Sequence, residues 1–219
     1  MATSKKNSTP GAEKARLAVA AARRSERRKR TAIWGAVAVV GVALITVTVI
    51  LIASSVHKRD AVTSAATSDI AGVTTTTGLT ANHVPNLPEP TPTNGVRVPP
   101  VGGDHDAIPQ TCAVYTQPVG TWHAVHSLEH GSVWITYAPG LAADQIAVLA
   151  ADAKGHDHVL VSPFPDQPSP VILTAWGLQL RVDSASDPRV EVFIAKYENG
   201  PQTPEPGAAC EGTTATITP

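Results

Sequence analysis

The sequence predicts a small α+β (or α/β) domain, a mixed sheet with flanking helices, carried behind one N-terminal transmembrane helix. Three observations lead there. Residues 31–56 hold no charged side chain and consist mainly of Ala, Val, Ile, Leu and Gly. A Thr/Pro/Ala-rich segment with few large apolar residues follows, over 57–98. From residue 99 onward, β-branched runs alternate with runs whose apolar residues recur at helical spacing, the two periodicities that separate strands from helices.

At ~1.5 Å per residue the uncharged run would make a helix of roughly 39 Å, long enough to cross a bilayer with some tilt. A cleaved signal peptide is the competing reading, but the run is too long for one, and Lys58 and Arg59 follow it directly. Residues 1–30 carry ten basic side chains: Lys5, Lys6, Lys14, Arg16, Arg23, Arg24, Arg27, Arg28, Lys29 and Arg30. Only Glu13 and Glu26 oppose them. That asymmetry places the basic tail in the cytoplasm and everything from about His57 outside the cell membrane. The tail reads as resting on anionic lipid headgroups, not as binding nucleic acid. After Asp60 there are five basic residues against fifteen acidic ones, a net charge of −10. An exterior half of that sign repels polyanions and tolerates cations.

Segment 57–98 has too little apolar surface to bury a core of its own and is expected to be a flexible stalk. The globular domain is then expected over 99–211, with a disordered tail at 212–219. Cys112–Tyr115 is a short strand candidate. Trp122–His130 allows about two turns of helix, stopped by Gly131. Val133–Tyr137 is a strand, and Leu141–Lys154 a helix with Ile146, Leu149, Ala150 and Ala153 on one face. Val159–Val161 is an all-apolar buried strand. Val171–Trp176 and the alternating Leu178–Asp183 make the last strands. Asp187 as N-cap and Pro188 at the first helical position start a final helix with Val190, Phe193, Ile194 and Tyr197 inward. This order, β-α-β-α-β-β-α, is that of a thioredoxin-like core, which would put the histidine segment in the first strand-to-helix connection. No Cys-x-x-Cys lies there, so dithiol exchange is excluded.

Cys112 and Cys210 are the only cysteines. An even count in an oxidising compartment favours a disulfide, and a loop of ~100 residues sets its chain-entropy contribution at about 4–5 kcal/mol at most. Cys112 as a thiolate ligand is the alternative.

The stretch Thr121–Tyr137, TWHAVHSLEHGSVWITY, concentrates the chemistry. His123, His126 and His130 share one helix face, with Glu129 beside them. Imidazoles converging with a carboxylate suit Cu or Zn. His105 ends a Pro/Gly-rich loop and is the further candidate. His156 and His158 flank Asp157 in what reads as a solvated loop; His57 and His83 are assigned no role. His126–His130 also matches H-x-x-E-H, the inverted zinc-peptidase signature with Glu129 as general base. That reading needs a distant carboxylate ligand, Glu191 or Glu198, and a longer helix than Gly131 permits. A metal-free, hydrogen-bonded polar cluster stays open beside both.

The segments PPVGGDH (Pro99–His105), CAVY (Cys112–Tyr115) and VHSLEHGSVWITY (Val125–Tyr137), with the later LTAWG and VFIAKY, resemble the domain-of-unknown-function 3105 family of bacterial proteins, many of them membrane-anchored and actinobacterial. The resemblance implies a site at His105, His126 and His130 and no particular activity. Val101 and Gly102 stand where the family more often has Thr and Ser, and His123 matches no family position.

The expectation is therefore a single-pass envelope protein whose exterior domain binds Cu or Zn through His105, His126 and His130, with Glu129 as a further ligand or support and His123 optional. The alternatives are a metal-free module whose exposed surface, including Trp122 or Trp176, docks an envelope partner, and a zinc hydrolase.

Overall fold

The computed structural model describes residues 10–217. Lys5 and Lys6 of the basic tail, and Thr218 and Pro219 of the C-terminal tail, lie outside the described residues. The described chain divides after Lys58 into two compact units. Helix α1, Pro10–Ala66, contains the uncharged run and is long and apolar enough to cross a membrane, as an anchor or as a signal sequence.

The second unit is built on a five-stranded mixed sheet. Its strands are β1 (Thr74–Thr75), β2 (Val133–Tyr137), β3 (Val159–Pro163), β4 (Val171–Ala175) and β5 (Leu178–Val182), in the order β1-β5-β4-β2-β3. Its three helices are α2 (Thr121–Glu129), α3 (Ala143–Asp152) and α4 (Arg189–Tyr197). β2 and β3 are parallel, with Val133 opposite Val159, and α3 is their crossover. β4 and β5 form an antiparallel hairpin, and β4 lies antiparallel to β2. The class is α+β.

β2, β3 and β4 are buried along their whole length because both faces of the sheet are covered there. Val133, Ile135, Val161, Leu173 and Leu180 pack with Leu149 of α3 and with Val190, Phe193 and Ile194 of α4. Trp134 and Leu160 point the other way and pack with Ala124, Val125 and Leu128 of α2 and with Trp176. Fully buried side chains such as Phe193 and Leu160 each contribute about 1.5–3 kcal/mol relative to exposure. α4 starts one residue later than expected, with Pro188 and not Asp187 in the cap position; the Asp187 carboxylate still accepts the Arg189 N–H at 2.9 Å.

Three expectations are corrected. Cys112–Tyr115 is not a strand; it meets β3 through one bridge, Val114 to Val161. The run is too short to ladder, since Cys112 is drawn to Cys210, whose carbonyl accepts its N–H at 3.0 Å, and Pro118 offers no donor. The His-bearing helix α2 therefore stands ahead of the β-α-β unit instead of inside its first connection.

The expected stalk is not free: its start, up to Ala66, continues α1, and from Ile70 onward it docks on the domain. Thr74 and Thr75 pair with Gln179 and Leu178, and Ile70 is buried against the α4 face. Glu89 Oε1 accepts the Thr121 N–H at 2.9 Å, placing a carboxylate at the N-terminus of α2, where the helix dipole favours it. Poor composition precludes a core of its own; it does not prevent sparse apolar residues from docking on a core built by others.

The tail is likewise engaged up to Ile217. Thr213 N–H donates to Pro109 O at 2.9 Å and Ile217 N–H to Pro118 O at 2.8 Å, so loops of the domain supply the partners that a disordered tail would lack.

Candidate metal centre

α2 ends in a double backbone closure: Ser132 N–H reaches Ser127 O at 2.9 Å and Gly131 N–H reaches Leu128 O at 3.0 Å, the Schellman pattern. Gly131 has φ +95°, and a Cβ there would lie 2.7 Å from Asn199 Oδ1. The closure fixes Glu129 and His130 at the helix end while His126 stands one turn back. Facing them is the loop that ends on His105. Gly102, at φ +146°, permits that approach, since a Cβ would meet Leu79 at 2.9 Å and Trp176 at 3.1 Å.

A third strand of backbone completes the site. His83 forms a parallel bridge with His105: Val84 N–H donates to His105 O at 2.8 Å and His105 N–H to Asn82 O at 3.0 Å. Asn82 also donates to Asp104 at 2.9 Å. The Asp104 carboxyl is held below its ordinary value chiefly by hydrogen bonds from the Thr80 and Asn82 side chains.

The donor atoms of His83, His105, His126 and Glu129 all lie within 4.8 Å of one another. His105, His126 and Glu129 are buried, and His83 is the exposed member. Glu129 Oε2 lies 2.9 Å from His105 Nε2 and 3.5 Å from His83 Nε2. The His83 ring stacks on that of His126, with centroids 4.6 Å apart.

Tautomers follow from the carbonyls behind the rings. His105 Nδ1 sits 2.7 Å from Gly103 O, His126 Nδ1 2.6 Å from Asp106 O, and His130 Nδ1 2.7 Å from Ala209 O. A carbonyl only accepts, so each Nδ1 carries the proton and each Nε2 presents a lone pair. Those lone pairs face other acceptors. His105 Nε2 and Glu129 Oε2 are buried 2.9 Å apart, and neither has a hydrogen-bond partner. His126 Nε2 and His130 Nε2 stand 2.9 Å apart. A metal ion held between such atoms, or a proton shared between them, makes either contact favourable. Backbone carbonyls that hold the far nitrogen of an imidazole are also the usual support of metal-ligating histidines. Two ligands of one ion with bonds of ~2.0–2.1 Å stand about 2.9–3.4 Å apart; the His105–Glu129 contact falls in that range at 2.9 Å, and the His83–Glu129 distance of 3.5 Å lies just beyond it. The donor set fits a borderline divalent ion.

His126 is pushed down from 6.5 to about 4, mainly by burial; the Asp106 carbonyl opposes this, and the neighbouring His130, His105 and His83 add to it. It is neutral at physiological pH, the form that ligates.

Of the expected residues, His105, His126 and Glu129 come together. His130 stands at the rim, touching His126 and lying 3.5 Å from Glu205 Oε2. His123 turns away: its Nδ1 meets Ile108 O at 2.6 Å and Asp106 Oδ1 at 3.5 Å. Sharing a helix face does not make it a neighbour of the cluster. His83 was missed, because nothing local marks it; the signal available was a lone histidine in a segment otherwise made of Thr, Pro and Ala. Cys112 and Cys210 are disulfide-bonded, with Cα atoms 5.4 Å apart, which removes Cys112 as a thiolate ligand. Glu198, a candidate carboxylate for the peptidase reading, instead accepts from the His158 N–H and pairs with His156. Trp176, expected on an exposed docking surface, is buried, 6.0 Å from the His105 ring.

A family model described as a protein of unknown function (DUF3105) matches residues 91–212. The chain belongs to the DUF3105 family. The match takes in His105, His126, Glu129, His130 and both cysteines of the disulfide, whereas His83 lies ahead of it. No curated protein and no solved structure matches the chain.

Proposed function

We propose that this DUF3105 protein is a single-pass envelope protein, N-terminus in the cytoplasm, whose exterior domain binds Cu or Zn through His83, His105, His126 and Glu129 for metal handling. The observation that carries the reading is the buried pair His105 Nε2 and Glu129 Oε2 without hydrogen-bond partners, with the His105 and His126 imidazoles each locked by a carbonyl behind it. An all-imidazole and carboxylate set suits Zn(II) or Cu(II). It is a poor cradle for Cu(I), which prefers thioether and thiolate donors, and the chain has one Met. The exposed His83 leaves one ligand within reach of solvent, which favours exchange of the ion over permanent structural use.

The disulfide and the charge asymmetry about α1 support the exterior placement of the domain. The sheet order β5-β4-β2-β3, with β2 and β3 joined through α3 and α4 following the hairpin, supports a thioredoxin-like relationship in which Val133–Tyr137 is the first strand. Elemental analysis of the full chain in detergent, purified without chelator, tests the proposal. Near one Zn or Cu per chain, lost in His105→Ala, is expected. No metal after incubation with either ion would leave a metal-free interaction module.

A further inference from the structure

We propose, resting on the metal-binding reading above, that His126 is an exchange ligand shared between an inner donor set (His83, His105, Glu129) and an outer one (His130, Glu205), through which a borderline divalent ion passes to and from the exterior. With Nδ1 committed to Asp106 O, His126 has a single lone pair, at Nε2. The inner group takes one nitrogen from His126; with Nδ1 committed, that nitrogen is Nε2, which also lies 2.9 Å from His130 Nε2. One lone pair binds one ion at a time, so the two sets cannot both be completed by His126. They are alternatives joined at one atom.

The outer set is built as deliberately as the inner. His130 Nδ1–H is held by Ala209 O at 2.7 Å, which aims Nε2 inward. Glu205 Oε2 stands 3.5 Å beyond that nitrogen. The Glu205 backbone N–H donates to the Glu129 carbonyl at 3.1 Å, tying the outer carboxylate to the residue that supplies the inner one. Exposure rises along the series: the side chains of His105 and Glu129 are 0% and 4% exposed, His130 13% and Glu205 51%. On the His130 side an ion from solvent meets the half-exposed carboxylate first, then His130, then His126; His83, 44% exposed, is a separate opening of the inner set. The acidic balance of this half of the chain favours that approach.

The step is ligand substitution without redox change. A bond from the ion to Glu205 or His130 breaks as one to Glu129 or His105 forms. His126 keeps its bond throughout. Associative exchange of this kind lowers the barrier that full release to water would impose.

The test uses the full chain in detergent micelles, loaded with one Zn(II) and mixed rapidly with a chromogenic chelator, alongside Glu205→Gln and His130→Gln. Glu205→Gln alters an exposed side chain without changing its shape, so folding is not at issue. The expected result is a zinc content like that of the unmodified chain, with loading and release both slowed about tenfold or more. Unchanged rates in both variants would overturn the proposal. Zinc lost altogether from His130→Gln would also overturn it, because His130 would then be a primary ligand. An unmodified chain that takes up no zinc, and behaves like His105→Ala, signals instead that the metal-binding reading has failed.

Discussion

His83 and His105, distant in sequence, are locked side by side by a parallel β-bridge, with ring centroids 5.0 Å apart. The segment that leaves the apolar helix thus contributes a side chain to a site otherwise built by the domain. His83→Ala should leave the fold intact, since the side chain is half exposed, while weakening metal affinity roughly 10–100-fold. Titration of the apo full chain with Zn(II) against a competing chelator measures this. Equal affinity in the variant would remove His83 from the ligand set.

His105 differs from His83 because it is wholly buried against Glu129. His105→Ala should abolish metal binding and also cost about 1–3 kcal/mol in the apo protein, by leaving the Gly103 carbonyl without the imidazole N–H that it accepts. Chemical denaturation without metal reads the second effect. A variant as stable as the parent would mean that the Gly103 carbonyl finds another donor.

The depressed His126 sets a pH dependence of known sign. In the unfolded chain this imidazole takes its proton near 6.5, but in the folded one only near about 4. Between those values the unfolded state binds more protons, so stability falls as pH is lowered from 6.5 and levels off below about 4. Metal affinity should decline over the same descent, because protons compete for the same nitrogens. Thermal unfolding of apo protein at pH 7, 6, 5 and 4 would show it. A melting temperature independent of pH, with His126→Phe behaving identically, would contradict the assignment.

The disulfide holds two loops that support the site. Ala209, whose carbonyl fixes His130, precedes Cys210 directly, and the Cys112 N–H donates to the Cys210 carbonyl at 3.0 Å. Replacing both cysteines by Ser should cost about 2–5 kcal/mol and lower the unfolding midpoint in urea. An unchanged midpoint would show that the C-terminal segment is held well enough by its backbone bonds to Pro109 and Pro118.

Gly131→Ala places a Cβ 2.7 Å from Asn199 Oδ1 at a backbone φ of +95°. The expected loss is at least about 1 kcal/mol, with weaker metal binding, because the closure that holds Glu129 and His130 loosens. Denaturation and zinc titration on the same sample separate the two effects.

Local physics made much of this protein legible in its sequence. The uncharged run gave the apolar part of α1 but not its extension back to Pro10 and on to Ala66, alternation and β-branching gave β2 to β5, and the periodic stripe of Val190, Phe193 and Ile194 gave α4, because each depends on residues close in the chain. The pairing of Cys112 with Cys210 followed from count and compartment. His126 and Glu129 could be grouped because helical spacing fixes their proximity. The tertiary structure alone decided the rest. His83 joins the site, and His123 leaves it, through bridges and loop contacts between segments far apart in sequence. The Thr/Pro/Ala-rich segment docks because the sheet supplies the apolar face and the backbone partners that its own composition lacks. Composition and periodicity register what a segment can do by itself; which nitrogen faces which carboxylate depends on backbone brought together from a distance, and no local pattern encodes that.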